Sequence, residues 1–198
     1  FGNLYFRVIQ DGAHLTDLTL TITGITNANP GVVTYTGTDP SNGDEVYISG
    51  ITGAIGTYLN GRNFKIANVN AGANTFELQT MAGVNYNTTS LGSYTSGGTA
   101  ARIYTVTTPY VEADLSELKY VQSADVLTIA HPSYAPREVA RVAATNWTIN
   151  TVSFYPSIAA PTGVAVSGAA GTVAYWVVTA VKTDTYEESV ASSAVGAN

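Results

Sequence analysis

The chain has no cysteine, few charged residues and no long apolar run. The lack of cysteine excludes disulfides, thiolate nucleophiles and thiolate metal sites, so packing and sheet pairing alone must stabilise the fold. Charged residues make up 11% of the sequence, against roughly 25% in ordinary soluble domains. No stretch approaches the roughly 20 apolar residues of a membrane span. We therefore predict no membrane span.

What is present indicates a folded, β-rich chain. Hydrophobic residues make up 45% of the 198 positions, which is too many for a disordered protein. A net charge of −6 with only eight scattered basic residues argues against a dedicated nucleic-acid surface, because phosphate binding needs clustered Lys and Arg. An uncharged surface of Thr, Ser, Asn, Gly and Tyr fits large protein–protein contacts. It equally fits a Thr-rich β-protein without such contacts.

The first hundred residues carry strand and turn signals. The run Leu4–Ile9 followed by Asp11-Gly12 predicts a strand closed by a tight turn. From Leu18 to about Arg102, short alternating strands are separated by turn sequences. These turns are Asn29-Pro30-Gly31, Asn42-Gly43-Asp44, Asn60-Gly61-Arg62, Asn70-Ala71-Gly72 and Ser96-Gly97-Gly98. Turns spaced by roughly 8–12 residues predict a small closed β-barrel or sandwich.

One helix is predicted after the barrel segment. Asp114 followed by Glu117 is similar to a capping box, since the Asp oxygen accepts an unpaired N–H and both carboxylates favour the positive helix end. The helix is expected from Leu115 to about Tyr120.

Three strands are predicted next, at 125–131, 137–144 and 146–154, with Pro132–Pro136 at one turn. They would form one sheet of a propeller-like platform. Trp147 alternates with Ile149 and is expected in the core of this sheet. Further on, Pro161–Val166, Tyr175–Val181 and Glu187–Ser189 resemble the early strands of a fibronectin type III-like sandwich.

A strand and turn near the start of the chain, together with the region after residue 107, resemble a recurrent segment of bacteriophage tail proteins. The shared pieces are Tyr5-Phe6-Arg7 with Asp11-Gly12, Thr108-Pro109-Tyr110, Ala113-Asp114-Leu115, Gln122–Leu127, His131-Pro132, Pro136-Arg137 and Trp147. The family that it resembles is that of the tail tubular protein B or nozzle proteins of short-tailed phages, or of closely related tail-hub components. The resemblance implies a hexameric ring in the virion tail.

The barrel segment has a resemblance of its own, to the β-barrel half-domain of the first catalytic cysteine region of ubiquitin-activating enzymes. The matching pieces are Ile25–Pro30, Gly43–Gly50, Leu59–Phe64, Asn74–Leu78 and Tyr94–Gly98. Since this chain has no cysteine, the similarity concerns the barrel and not the ligase chemistry. In the tail relatives the DGG-like turn runs almost directly into TPY, so the segment between is expected to be an insertion.

The predicted fold class is therefore all-β, with a propeller- or platform-like host sheet, an inserted small barrel and the start of a fibronectin type III-like sandwich. Residues 1–20 and 103–156 would form the host domain, 21–102 the barrel, and 157–198 a sandwich cut short. The chain is expected to be part of a longer polypeptide.

Catalytic and metal sites are not predicted. His14 and His131 have no second histidine or cysteine at ligand spacing. Ser123, Asp125 and His131 suggest a triad, but no Gly-x-Ser-x-Gly elbow is present and strand alternation separates them. No cofactor is expected. Gly97-Gly98 has neither the Lys nor the helix of a phosphate loop.

Adjacent carboxylates and tyrosines each allow a functional and a structural interpretation. Glycoside hydrolysis needs carboxylates that converge, whereas Asp44-Glu45 and Glu187-Glu188 are strand neighbours that should diverge and act as solvated edges. The thirteen tyrosines suit sugar stacking, or they are half-buried cross-strand partners.

The leading functional prediction is a non-enzymatic virion tail protein. It would form part of the genome-ejection channel, with DNA passing transiently, and a platform for other tail and adaptor proteins. The alternative is a tail-associated adhesin that binds host surface glycans. A hydrolase of the host envelope is a third hypothesis, which would need convergent carboxylates.

Overall fold

The computed structural model describes residues 1–166 and 174–197. Strands make up 46% of the described residues and helices 5%, and six strands close into a barrel, so the predicted all-β fold with an inserted barrel is confirmed. The chain divides into two compact units, Phe1–Asn150 and Thr151–Asn198.

Fourteen strands lie between residues 5 and 151. In chain order they are β1 (Tyr5–Arg7), β2 (Ile9–Gln10), β3 (Ala13–His14), β4 (Thr16–Ile25), β5 (Val32–Thr36), β6 (Glu45–Ser49), β7 (Arg62–Asn70), β8 (Thr75–Gln79), β9 (Thr99–Ile103), β10 (Thr105–Thr107), β11 (Lys119–Ser123), β12 (Val126–His131), β13 (Tyr134–Ala143) and β14 (Asn146–Thr151). A one-turn helix, α1 (Gly56–Leu59), precedes β7, and a 3-10 helix (Glu112–Glu117) precedes β11.

The barrel is closed in the order β4-β5-β8-β7-β6-β9, with β9 paired back onto β4. Every neighbouring pair is antiparallel. Alternate residues point inward and are buried, as the period of two predicts, for example Phe64 and Ile66 on β7 and Phe76 and Leu78 on β8. Burying one such side chain contributes roughly 1.5–3 kcal/mol, so this segment has a hydrophobic core of its own.

The strands that flank the barrel pair with each other. β1 and β10 are antiparallel, with Tyr5 opposite Thr107 and Arg7 opposite Thr105. The barrel strands run from Thr16 to Ile103, a few residues beyond the predicted 21–102, because β4 pairs with β9 along its whole first half. The segment of short strands and turns was predicted to begin at Leu18, but Leu18 lies inside β4, which begins at Thr16.

The host sheet contains β11, β12, β13 and β14 in that order, which includes the three predicted strands. The predicted helix was wrong in type and position: it is a 3-10 turn that ends at Glu117, and Lys119 already begins β11. Asp114 lies inside this turn and does not precede it, and its carboxylate accepts the N–H of Val111 at 3.0 Å.

A second hydrophobic cluster lies beneath this sheet. Its buried members are Phe6, Tyr110, Ile129 and Val139, and Leu115, Leu127, Trp147 and Ile149 are among the side chains packed against them. Trp147 meets Phe6 edge-on at 6.2 Å between ring centroids. Trp147 is half-buried. It was expected in the core of the sheet, but it packs against the edge of the core and does not fill its centre.

In the described part of the second unit, β15 (Ala174–Trp176) pairs with β16 (Val195–Ala197). A single bridge joins Val181 to Glu188, and residues 161–166 form no strand. Residues 167–173 and 198, which fall in the predicted sandwich, lie outside the described residues. The fibronectin type III-like sandwich stays a prediction.

Candidate functional site

Several residues of the tail-protein resemblance converge on His131. Its side chain is 2% exposed. Nδ1 accepts the N–H of Ser133 at 3.0 Å, so a neutral ring carries its proton on Nε2. Nε2 faces Glu117 Oε2 at 3.6 Å and Asp114 Oδ1 at 4.0 Å. The imidazole thus lies between the 3-10 turn and the end of β12, and its Nε2 has no hydrogen-bond partner.

Two tyrosines enclose this imidazole. Tyr134 lies 5.0 Å from it and Tyr110 6.3 Å between ring centroids, and the two phenol rings meet edge-on at 5.2 Å. Tyr134 donates its hydroxyl to Asp114 Oδ2 at 2.7 Å. We call Tyr110, Asp114, Glu117, His131 and Tyr134 the histidine cluster.

The electrostatics of the cluster follow from these contacts. The hydrogen bond from Tyr134 is the main cause that holds the pKa of Asp114 below its ordinary value, and the N–H of Val111 adds to it. The same bond to Asp114 raises the pKa of Tyr134. Burial raises the pKa of Tyr110. A charged carboxylate and neutral phenols are therefore the stable state around neutral pH.

The histidine cluster is organised for packing. Its imidazole and the ring of Tyr110 are covered by their own neighbours, and Asp114 is already bonded to Tyr134 and Val111. The suspected triad is not assembled, because Ser123 and Asp125 lie at the opposite end of β12 from His131. At about 3.3 Å per residue that separation is roughly 17 Å. Ser123 is paired with Val126 across the hairpin.

The other histidine is isolated. His14 is exposed at the end of the β2–β3 hairpin, opposite Ile9. Within residues 1–166 and 174–197, no group of three or more His, Asp or Glu side chains has the spacing to hold a metal ion.

A polar cleft of about 810 Å³ lies where the host strands meet the outer face of the barrel. The host contributes Asn3, Tyr5 and Arg7, and the barrel contributes charged side chains. These are Asp17, Asp44, Glu45, Lys65 and Arg102. We call this the junction cleft.

Ion pairs fix most of the charged groups in the junction cleft. Arg102 binds Asp17 through two parallel contacts, Nε to Oδ1 at 2.8 Å and Nη2 to Oδ2 at 3.0 Å, and reaches Asp44 Oδ2 at 3.2 Å. The bond to Asp17 is the main cause that raises the pKa of Arg102. Arg7 of β1 pairs with Glu45 of β6, which ties the host to the barrel.

The two members of each adjacent carboxylate pair have different partners. Asp44 bonds to Arg102 and Glu45 pairs with Arg7, so they serve different cations. Glu187 accepts from Ser157, whereas Glu188 accepts from Thr179. The prediction that Asp44 and Glu45 protect a solvated edge was wrong, because β6 is paired on both sides within the closed barrel.

The tyrosines are divided between core and surface. Tyr35 and Tyr110 are buried, whereas six are exposed and lie on different elements. The exposed ones are Tyr47, Tyr58, Tyr120, Tyr155, Tyr175 and Tyr186. Gly97 and Gly98 form a close-packed turn: a Cβ on Gly98, whose φ is +102°, would collide with Ile51.

Sequence reasoning missed both the junction cleft and the enclosure of His131 by Tyr110 and Tyr134. The sequence offered one signal for the cleft, namely that charged residues are few. Three of the eight basic and three of the fourteen acidic residues line the cleft.

Comparisons with known proteins identify no family for this chain. No protein-family model matches it, and no curated protein is significantly similar to it. Among the described residues, no helix has the length and apolar character needed to cross a membrane.

Proposed function

We propose that the chain is a structural component of a bacteriophage tail, a nozzle or tail-tube ring subunit that forms part of the genome-ejection channel. The observation that carries the proposal is the histidine cluster. Tyr110, Asp114 and His131 all belong to the tail-protein resemblance, and they pack together in one place. The residues shared with the tail proteins are therefore ones that contribute to packing in the host domain.

The proposal is non-enzymatic. The chemically suggestive residues of the host domain have structural partners: His131 accepts from Ser133, and Asp114 holds Tyr134. Asp114 bonds to Tyr134 and Val111, and the aromatic rings of the cluster pack against one another, which holds these side chains in place. His131 Nε2 and the Tyr110 hydroxyl have no hydrogen-bond partner, so packing contributes more than hydrogen bonding to this core. A ring subunit that carries mechanical load benefits from such a core, whereas a catalytic base would need access to its substrate.

The arrangement of the barrel fits a platform. It is inserted between β1 and β10, which pair with each other, so the host strands keep their contact while the barrel projects from them. The low charge of the chain suits permanent contacts, since large interfaces bury mainly uncharged surface. Head-to-tail contacts that close give a ring, and six subunits is the number the resemblance implies.

Labelling of particles tests this proposal. An antibody raised against the barrel segment, residues 16–103, should decorate the tail of the virion in negative-stain electron micrographs. An antibody against an unrelated virion protein is the control. Labelling of the capsid shell, or no labelling of intact particles, contradicts the proposal.

A second candidate function is adhesion to host glycans. The observation that favours it is the junction cleft, where a charge-poor protein gathers six of its charged side chains around an open cavity.

A further inference from the structure

We propose that the junction cleft binds a neutral, polyhydroxylated ligand, namely an oligosaccharide. This inference deepens the second candidate function and does not depend on the ring. The size of the cleft suits a ligand, because ligand sites commonly enclose about 300–1,000 Å³ and the cleft measures about 810 Å³.

Charge balance favours a neutral ligand. Arg7, Lys65 and Arg102 stand against Asp17, Asp44 and Glu45, so the cleft as a whole carries no net charge. An ionic ligand would have to compete with ion pairs that already exist. Hydroxyl groups can instead use the lone pairs and N–H groups that those ion pairs leave free.

Free hydrogen-bonding groups of both kinds remain in the cleft. Among the described residues, no carboxylate lies within 4.0 Å of the Lys65 ammonium, which leaves its three N–H groups for a ligand. Each oxygen of Asp17 accepts one bond from Arg102 and retains further acceptor capacity. Sugar hydroxyls both donate and accept, so they match such a mixed lining.

The lining is accessible and held in place. Arg102 and Asp17 keep 31% and 22% of their side-chain surface exposed although they are bonded to each other. Groups fixed before binding lose little conformational entropy when a ligand arrives.

Neighbouring groups limit ring stacking on Tyr5. The Arg7 guanidinium lies over the Tyr5 ring, 4.5 Å from its centroid, and Gly2 packs so closely against the ring that a Cβ would collide with it. We therefore expect hydrogen bonds to dominate recognition, with the exposed side chain of Met81 as an apolar contact.

The test is a binding screen of the full chain against neutral tri- to hexasaccharides of glucose, galactose, mannose and N-acetylglucosamine. Sialylated and phosphorylated oligosaccharides form a second arm, and zwitterionic dipeptides a third. We expect a neutral oligosaccharide to bind with a Kd of about 1 mM or tighter. Its binding should shift the NMR amide signals of Lys65 and Arg102.

Two variants locate the site. Lys65→Gln and Asp17→Asn should each weaken binding at least tenfold, about 1.4 kcal/mol. Arg62→Gln, at the exposed start of the same strand as Lys65 but outside the cleft lining, should leave it unchanged. Absence of neutral-sugar binding at 10 mM overturns the proposal. So does preference for charged sugars or dipeptides, or amide shifts confined to other surfaces. Should a variant unfold, the shifts in the unaltered chain still decide the location.

Discussion

The backbone N–H of Tyr104 donates to the carbonyl of Leu15 at 2.8 Å, although the whole barrel lies between these two residues. The two points where the chain enters and leaves the barrel are therefore neighbours. An insertion whose ends are adjacent disturbs its host little, which is the structural basis for treating the barrel as a removable module.

Removal of the barrel should leave a folded host domain. We expect a chain in which a short Gly-Ser bridge joins Leu15 to Tyr104 to unfold cooperatively, because β1, β10 and the host sheet keep their mutual contacts. Circular dichroism and Trp147 fluorescence during urea unfolding measure this. Deletion of 21–102 is the matched comparison, and it should be less stable because it leaves half of β4 without a partner. A non-cooperative transition in the first variant contradicts the insertion.

The Tyr134–Asp114 bond should make stability depend on pH. The folded-state pKa of Asp114 lies below its ordinary 3.8, so its contribution is present above that pH and is lost as the pH falls through the folded value. The folded-state pKa of Tyr134 lies above its ordinary 10.0, so its contribution is present below pH 10 and is lost as the pH rises further.

Tyr134→Phe isolates this effect. The difference in unfolding free energy between the unaltered chain and the variant should be largest between about pH 4 and pH 10 and should shrink on both sides. Urea unfolding at a series of pH values gives the curve. Tyr120→Phe, on the exposed strand β11, is the control and should show no such plateau. A difference independent of pH would indicate that the bond is absent in solution.

Trp147→Ala should destabilise the first unit by about 2–4 kcal/mol. Complete burial of a large aromatic would place the cost at roughly 3–5 kcal/mol, but Trp147 is half-buried against Phe6. Thermal or urea unfolding measures the loss. Trp176→Ala, at an exposed position of the second unit, should change stability by less than about 1 kcal/mol. A loss below ~1 kcal/mol at Trp147 would show that it does not pack on the core.

Tyr35 should ionise unusually late. Burial, assisted by its bond to Asp39 at 2.7 Å, raises the pKa of Tyr35 to about 12. The neutral form is thus favoured in the folded barrel, and its contribution to stability is lost as the pH rises from 10 through about 12. Ultraviolet titration of tyrosinate should show fewer groups ionised at pH 11 in the folded chain than in urea, because the pKa values of Tyr35, Tyr110 and Tyr134 are all raised by folding. Tyr35→Phe should remove one of these late groups, and equal titration of both states contradicts the assignment.

Local signals accounted for much of the fold. Turn sequences such as Asn70-Ala71-Gly72 separate strands that the structure contains, and the alternation at Phe64 and Ile66 gave the inward face of β7. The short 3-10 turn was misread because its capping carboxylate, Asp114, bonds backward to Val111.

The junction cleft could not be predicted from short sequence patterns, because it is lined by residues far apart in the sequence. The contacts of Arg102 with Asp17 and of Arg7 with Glu45 are created by barrel closure and by the pairing of β1 with β10. No spacing in the sequence encodes them. The same holds for His131, whose enclosure depends on residues from the 3-10 turn and from β13.

Reconstruction of the native particle by electron cryomicroscopy without imposed symmetry tests the central proposal most directly. The account predicts this chain in a closed ring of six subunits in the tail, with the host domains forming the ring and the barrels on its outside. Density that places the chain in the capsid shell, or as a single fibre tip outside any ring, would contradict it.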